Sequence, residues 1–312
     1  MSTTSEPKSI DTIDKSHALV NIPLDESLYS LNDVETAFFK EQTGIQDDEE
    51  LKQHVLSVQK SAYAVYGYPC IRKFAFTSLK ISRHPAYTIV QQLHVKRPDA
   101  ILLDMGCCFG NDIRKAVLDG WPVENVIASD LRPEFWTCGH ELFKSDASTF
   151  PAAFIGGDAF DSAFLTPHPV FTSSSPPTNR RPGSLKDIKT LTQLHGHISA
   201  IHAASFFHLF DESKQLEVAK RLGSLLSPQP GSTLFGSHAA TLVAGFKTHP
   251  AVPSFGMFCH SPESWTELWN GKIFEKGTVD VQTSMVEVEN PGAEADALDY
   301  KFYTMSWSVT RL

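Results

Sequence analysis

One stretch, Ala100-Ile-Leu-Leu-Asp104-Met-Gly106-Cys-Cys-Phe-Gly110, limits the folds open to this chain more than any other. Its short apolar run reads as a buried strand, and the strand closes on an acid. Two glycines follow, then Asn111 or Asp112 as the expected cap of a helix whose Ile113, Ala116 and Val117 share a face. Gly120 and Pro122 stop that helix. A strand that turns tightly through glycines into a helix N-terminus offers free backbone N–H groups to a ligand.

The pattern repeats downstream. Residues 125–130 form a second predicted strand, and Pro133 opens a helix that runs to about Phe143. Residues 152–156, 198–203 and 232–235 are the third to fifth strands. Before the fifth, Asp211 caps a helix bearing Leu216, Ala219, Leu222 and Leu226, closed by Pro228. Such alternation predicts a parallel sheet covered on both faces. Residues 277–288 and 300–309 have no helical pattern between them and predict an antiparallel pair joined by a polar loop at 289–299. The expected fold class is α/β: a Rossmann-like, seven-stranded, mostly parallel sheet with a C-terminal antiparallel hairpin and a helical N-terminal cap.

Three segments follow from this: a disordered polar tail at 1–15, a helical cap or lid at 16–97 and the main domain at 98–312. In the cap, Leu51, Val55, Val58 and Ala62 recur at helical spacing. Tyr63, Tyr66, Tyr68, Phe74 and Phe76 then crowd one short run, which either packs the cap onto the main domain or covers an apolar substrate. Residues 171–190 are a Ser/Pro-rich insertion, expected to be an irregular, disordered surface segment.

Composition excludes several classes. With 312 residues, 41% hydrophobic and 20% charged, the chain is neither mainly disordered nor fibrous. No run approaches the roughly 18–20 apolar residues of a membrane span, and from the polar, acidic N-terminus no secretory signal is expected. A net charge of −9 with no basic run argues against a nucleic-acid partner, Arg180-Arg181 being the nearest approach to one. Cys70, Cys107, Cys108, Cys138 and Cys259 are odd in number and form no CxxC pair, so free thiols in a reducing, cytoplasmic compartment are expected. The 13 histidines are scattered without metal-ligand spacing, and no metal is expected.

The glycine turn favours one kind of cofactor. A dinucleotide fingerprint would carry three glycines. Here Gly106 and Gly110 stand alone, and the acid before them suits an ammonium rather than a pyrophosphate. S-adenosyl-L-methionine fits, having an amino-acid end, a sulfonium and no phosphate. Asp130 ends the second strand, where a carboxylate accepts ribose hydroxyls, and Asp158 follows the third, where an acceptor meets the adenine amino group. The candidate cofactor residues are Asp104, Gly106, Cys107, Gly110, Asp130, Leu131, Asp158, Ala159 and His202.

This arrangement resembles the class I S-adenosylmethionine-dependent methyltransferases over residues 97–312. A closer likeness lies in Tyr68-Pro-Cys-Ile-Arg72-Lys-Phe74, Leu103-Asp-Met-Gly-Cys-Cys-Phe-Gly110, Asp119-Gly-Trp-Pro-Val-Glu-Asn125, Gly139-His-Glu-Leu-Phe143 and Ile201-His-Ala-Ala-Ser-Phe-Phe-His-Leu-Phe210. These runs are similar to a family of fungal secondary-metabolite O-methyltransferases of the meroterpenoid type. The resemblance implies methyl-ester formation on a small, apolar, terpenoid- or polyketide-type acid. The chain departs from the expected pattern after the fifth strand, with Gly236-Ser-His238 in place of Gln or Arg, and in its long Pro/Ser insertion.

Methyl transfer is an in-line displacement in which alignment supplies much of the catalysis. A base is needed only if the acceptor is protonated. A carboxylic acid is ionised near neutrality, and a phenol with a pKa of about 10 is not. His202, His208 and His238 are the candidate catalytic residues, and Tyr68, Arg72, Phe206 and Trp265 the candidate substrate residues. Arg72 would pair with a carboxylate through its fork. Trp265 and Trp269 share a face of a short helix after Pro262, as packing or as a substrate wall. The alternatives are a phenol or enol O-methyltransferase with a histidine base, an NAD-dependent reductase, and a non-catalytic module on this fold. The expected partners are a small acceptor with an acid or phenol group and a second copy in a homodimer, with no membrane span.

Overall fold

A computed structural model describes residues 22–249, 252–288 and 302–312. The tail at 1–15 and the loop at 289–299 lie outside the described residues. The cap comprises α1 (Asp33–Thr43), α2 (Asp48–Val65), α3 (Pro69–Arg72), α4 (Lys80–Arg83) and α5 (Tyr87–Lys96). Asn32 and Glu35 close a capping box on α1, and Asp47 accepts the N–H groups of Glu49 and Glu50 at the start of α2. Leu51, Val55, Val58 and Ala62 are buried along α2, as their spacing predicts.

The main domain runs β1 (Leu102–Met105), α6 (Asn111–Leu118), β2 (Val126–Asp130), α7 (Pro133–Leu142), β3 (Ala153–Gly156), β4 (Ala200–His202), α8 (Glu212–Leu225) and β5 (Thr233–Ala240). It continues with β6 (Gly245–His249), β7 (Val252–Cys259), α9 (Pro262–Trp269), β8 (Val279–Val288) and β9 (Phe302–Arg311). Seven strands form one sheet in the order β3-β2-β1-β4-β5-β9-β8. The first five are parallel, and β9 lies antiparallel between β5 and β8. The expected fold class is the observed one.

Two details differ from the sequence reading, the β6–β7 pair and the hold on the 171–190 insertion. Strands β6 and β7 form a separate antiparallel pair that the sequence did not announce. No α-helix joins β3 to β4, where Pro167, Pro169, Pro176, Pro177 and Pro182 deny the backbone its N–H donors; two short 3-10 turns stand there instead. The insertion within that crossover is irregular, as expected, but it is tied down rather than loose. Phe171 O accepts a hydrogen bond from Arg311, Asn179 O meets the His197 ring, and Arg181 donates to Asn125 Oδ1.

Packing explains why the cap belongs to the fold. Phe38, Phe39, Val55, Phe74 and Phe76 share a buried cluster with Phe109 of the glycine loop and with Phe135 and Phe143 of the α7 region. The Phe39 and Phe143 rings stack at 5.4 Å, and Phe76 lies 4.7 Å from Phe109. The Arg83–Glu35 ion pair joins α4 to α1 within the cap. Asn111 Nδ2 donates to Ser78 O, and Ile81 N donates to Asp112 Oδ1. Those two side chains therefore tie α6 to the cap instead of capping their own helix; the N-cap is Gly110, at φ 72°.

Candidate active site

Strand order sets the site. The carboxyl ends of β3, β2, β1 and β4 lie side by side, so Asp158, Asp130, the glycine loop and His202 form a continuous row. Ligands bind along this edge in open α/β sheets, where backbone groups are left free. Gly106 N and Cys107 N both donate to Ser129 O, which holds the loop against β2. Gly106 has φ +74°, and a Cβ there would lie 2.9 Å from the Phe206 ring. A Cβ on Gly110 would lie 2.4 Å from Trp136. Both glycines are required by backbone shape and by close neighbours.

Asp130 is fixed by the loop it serves. Its Oδ2 accepts from Cys108 N at 2.9 Å and its Oδ1 from Arg132 N at 3.0 Å. Each carboxylate oxygen keeps a further lone pair for a hydroxyl. Burial raises the Asp130 pKa, against the pull of its two N–H donors and Arg132. Leu131 beside it is 49% exposed, an apolar surface open to a flat ring. Asp158 is exposed and accepts from Phe160 N at 2.9 Å, while Ala159 is buried.

Asp104 and His202 face each other in the β1–β4 register, with His202 Nδ1 donating to Asp104 Oδ1 at 2.8 Å. Both are buried, at 3% and 1% exposure. Burial lowers the His202 pKa, but Asp104 and then Asp112 raise it, and the net shift is upward. The ring packs on Phe235 beneath the cap face, and its Nε2 is buried with no partner.

The acceptor edge is aromatic. Phe206 lies over Gly106 and contacts Phe207 and Phe210 edge-on. Ser205 adopts φ 54°, which turns the chain sharply after β4. His208 Nδ1 accepts from Ala239 N at 3.5 Å, and burial pushes its pKa down to about 4. His238 sits among Phe207, Trp265 and Trp307, its centroid 4.5 Å from that of Trp265. Neither of its nitrogens has a partner, and burial holds it well below the usual histidine range. Trp265 is fully buried, so it backs this edge as packing rather than as an open wall.

The cap's candidates separate. Tyr68 packs between Tyr66 and Phe135, on the loop side of the cap. Arg72 is directed away, its Nε donating to Pro23 O at 2.8 Å. The cation that reaches the site is Lys80, whose Nζ donates to Ser205 Oγ at 3.1 Å. Sequence reasoning missed it because nothing local distinguishes a lysine at the start of a four-residue helix. It also read Asp112 only as a cap.

Residues present suit S-adenosylmethionine: the glycine loop leaves no room for side chains at Gly106 or Gly110, and the Asp130 carboxylate keeps free lone pairs beside it. Together with the strand order, they define a class I S-adenosylmethionine-dependent methyltransferase. Residues 24–77 match the family described as meroterpenoid methyltransferase N-terminal domain. The chain is 33% identical over 230 residues to O-methyltransferase phiE of a fungal species, covering 74% of this chain and 68% of that protein. It is 33% identical over 229 residues to the asnovolin E/chermesin D methyltransferase nvfJ of Aspergillus novofumigatus, covering 73% and 72%. Among solved structures, the plantazolicin methyltransferase BpumL in complex with SAH is similar at 14% identity and a TM-score of 0.44, over 89% of this chain and 96% of that one. The chain belongs to the family of fungal secondary-metabolite O-methyltransferases.

Proposed function

We propose that this enzyme forms a methyl ester on the carboxylate of a small, apolar, terpenoid- or polyketide-type acid. One observation carries the reading: no histidine at the site is both open and poised to take a proton near neutrality. His202 is bound to Asp104 and closed in; His208 and His238 are held far down by burial. A general base works best with a pKa near the working pH. A carboxylate acceptor needs none.

Bound S-adenosylmethionine supplies an electrophilic methyl group. Asp130 and Leu131 would hold its ribose and the near face of its adenine, and Asp158 and Ala159 the far edge. Gly106, Cys107 and Gly110 keep the loop backbone close. Phe206 limits water over the loop and aligns the acceptor. His202 keeps Asp104 in place rather than moving a proton.

The Asp104–His202 pair supports a second reading. A carboxylate orienting a histidine whose far nitrogen has no partner is also the arrangement of a general base. On that reading the acceptor is a phenol or enol. Incubation with prenylated benzoic acids and with the matching prenylated phenols separates the two. The expected product is a methyl ester, cleaved by mild alkali, formed at a rate nearly independent of pH above about 6, where a carboxylate is ionised. An alkali-stable ether, formed at a rate that rises through a histidine pKa and is lost in His202→Gln, would establish the second.

A further inference from the structure

The geometry points to Lys80 as the residue that holds the carboxylate of the donor's amino-acid end, an inference that rests on S-adenosylmethionine as the cofactor. Lys80 comes from α4 of the cap yet reaches across to the loop after β4, where Ser205 Oγ receives its hydrogen bond at 3.1 Å. Its charge is felt at Cys70, Cys108, Asp112, His202 and His208. Phe206, the residue after Ser205, lies over Gly106, so the ammonium stands beside the glycine loop. Among the described residues it forms no ion pair, and a hydroxyl is a weak match for a half-buried ammonium.

The other nearby cations are engaged. Arg132 lies over the Tyr66 ring at 4.1 Å. Arg114 is wedged between Phe143 and Phe150, and donates to Ser145 Oγ at 2.8 Å. Arg72 is held at Pro23 O. A zwitterionic amino-acid end needs a cation as well as an acid. Asp104 supplies the acid at this edge, and Lys80 is the cation left to complete the match. Ser205, whose Oγ accepts the Lys80 hydrogen bond, aims the ammonium.

The test is calorimetric binding, not turnover. S-adenosylhomocysteine and its decarboxylated form, which keeps the ammonium and lacks only the carboxylate, are titrated into the full-length wild type, Lys80→Met and Lys80→Arg. Charge-assisted hydrogen bonds of this kind correspond to roughly a 10–100-fold difference in Kd. Wild type should prefer S-adenosylhomocysteine by that factor. Lys80→Met should lose the preference by weakening S-adenosylhomocysteine alone, and Lys80→Arg should restore part of it. Unchanged affinity in Lys80→Met, or equal weakening of both ligands, would overturn the assignment. So would a wild type that binds both equally, whether or not the methionine variant folds. A wild type that binds neither would instead remove the cofactor reading itself.

Discussion

At the scale of single residues, the Asp104–His202 pair is where charge and burial meet most sharply. Removing one partner of a buried pair leaves the other without compensation, at a cost of about 3–5 kcal/mol. His202→Asn should therefore lower unfolding stability in urea by several kcal/mol at neutral pH, and a loss under about 1 kcal/mol would show that Asp104 does not need the imidazolium. Because the folded pKa of His202 is raised above 6.5, its contribution is complete below that value and fades as pH climbs through the folded pKa. The sequence made Asp104, Gly106, Asp130 and His202 legible, since each sits at a strand end where α/β sheets bind ligands. It did not pair Asp104 with His202, because β1 and β4 are adjacent only in the folded sheet. Arg72 illustrates the opposite error: a basic residue amid aromatics looked available, and the chain near Pro23, far away in sequence, had taken it.

At the scale of elements, the closeness of α7 to the glycine loop decides how well the loop is held. A Cβ on Gly139 would lie 2.2 Å from Phe109 O, a backbone atom that cannot step aside. Gly139→Ala should push α7 off the loop, costing about 1–3 kcal/mol as overpacking does. Melting temperature and S-adenosylhomocysteine affinity should fall together; a variant that kept both would mean the loop tolerates the shift. Strands and helices in 100–156 were readable because apolar runs, glycines and prolines there agree with the tertiary structure, although Asn111 and Asp112 serve the cap segment rather than the end of α6. The β6–β7 pair was not readable. Pro250 and Pro253 interrupt its sequence, and no alternation marks a buried face. The prolines of the β3–β4 crossover, by contrast, were legible in advance as an irregular segment.

At the scale of the whole molecule, buried neutral histidines set the response to acid. Burial pushes His84, His208 and His260 down to about 4 from 6.5. Each stays neutral in the folded state while the unfolded chain takes up a proton, so stability falls as pH drops from 6.5 toward 4. The slope is about 1.4 kcal/mol per pH unit for each group before offsets. The raised carboxyls Asp112 and Asp130 act in the opposite direction, the His202 contribution is already complete below 6.5, and the lowered set, joined by His238, outnumbers the two acids. Melting temperature should fall steeply over that interval, and a flat profile would contradict the burial of these rings.

The indoles behind the acceptor edge have an optical consequence. Trp265, Trp269 and Trp307, three of the five tryptophans, lie 4.9–6.2 Å apart. Aromatic chromophores this close share their excited states, so the trio gives a coupled band in near-ultraviolet circular dichroism that none gives alone. Two of the rings ride on α9 and one on β9. The band therefore exists only when the helix has docked on the strand, which makes the chain's own chromophores a gauge of whether the wall behind the acceptor edge is assembled.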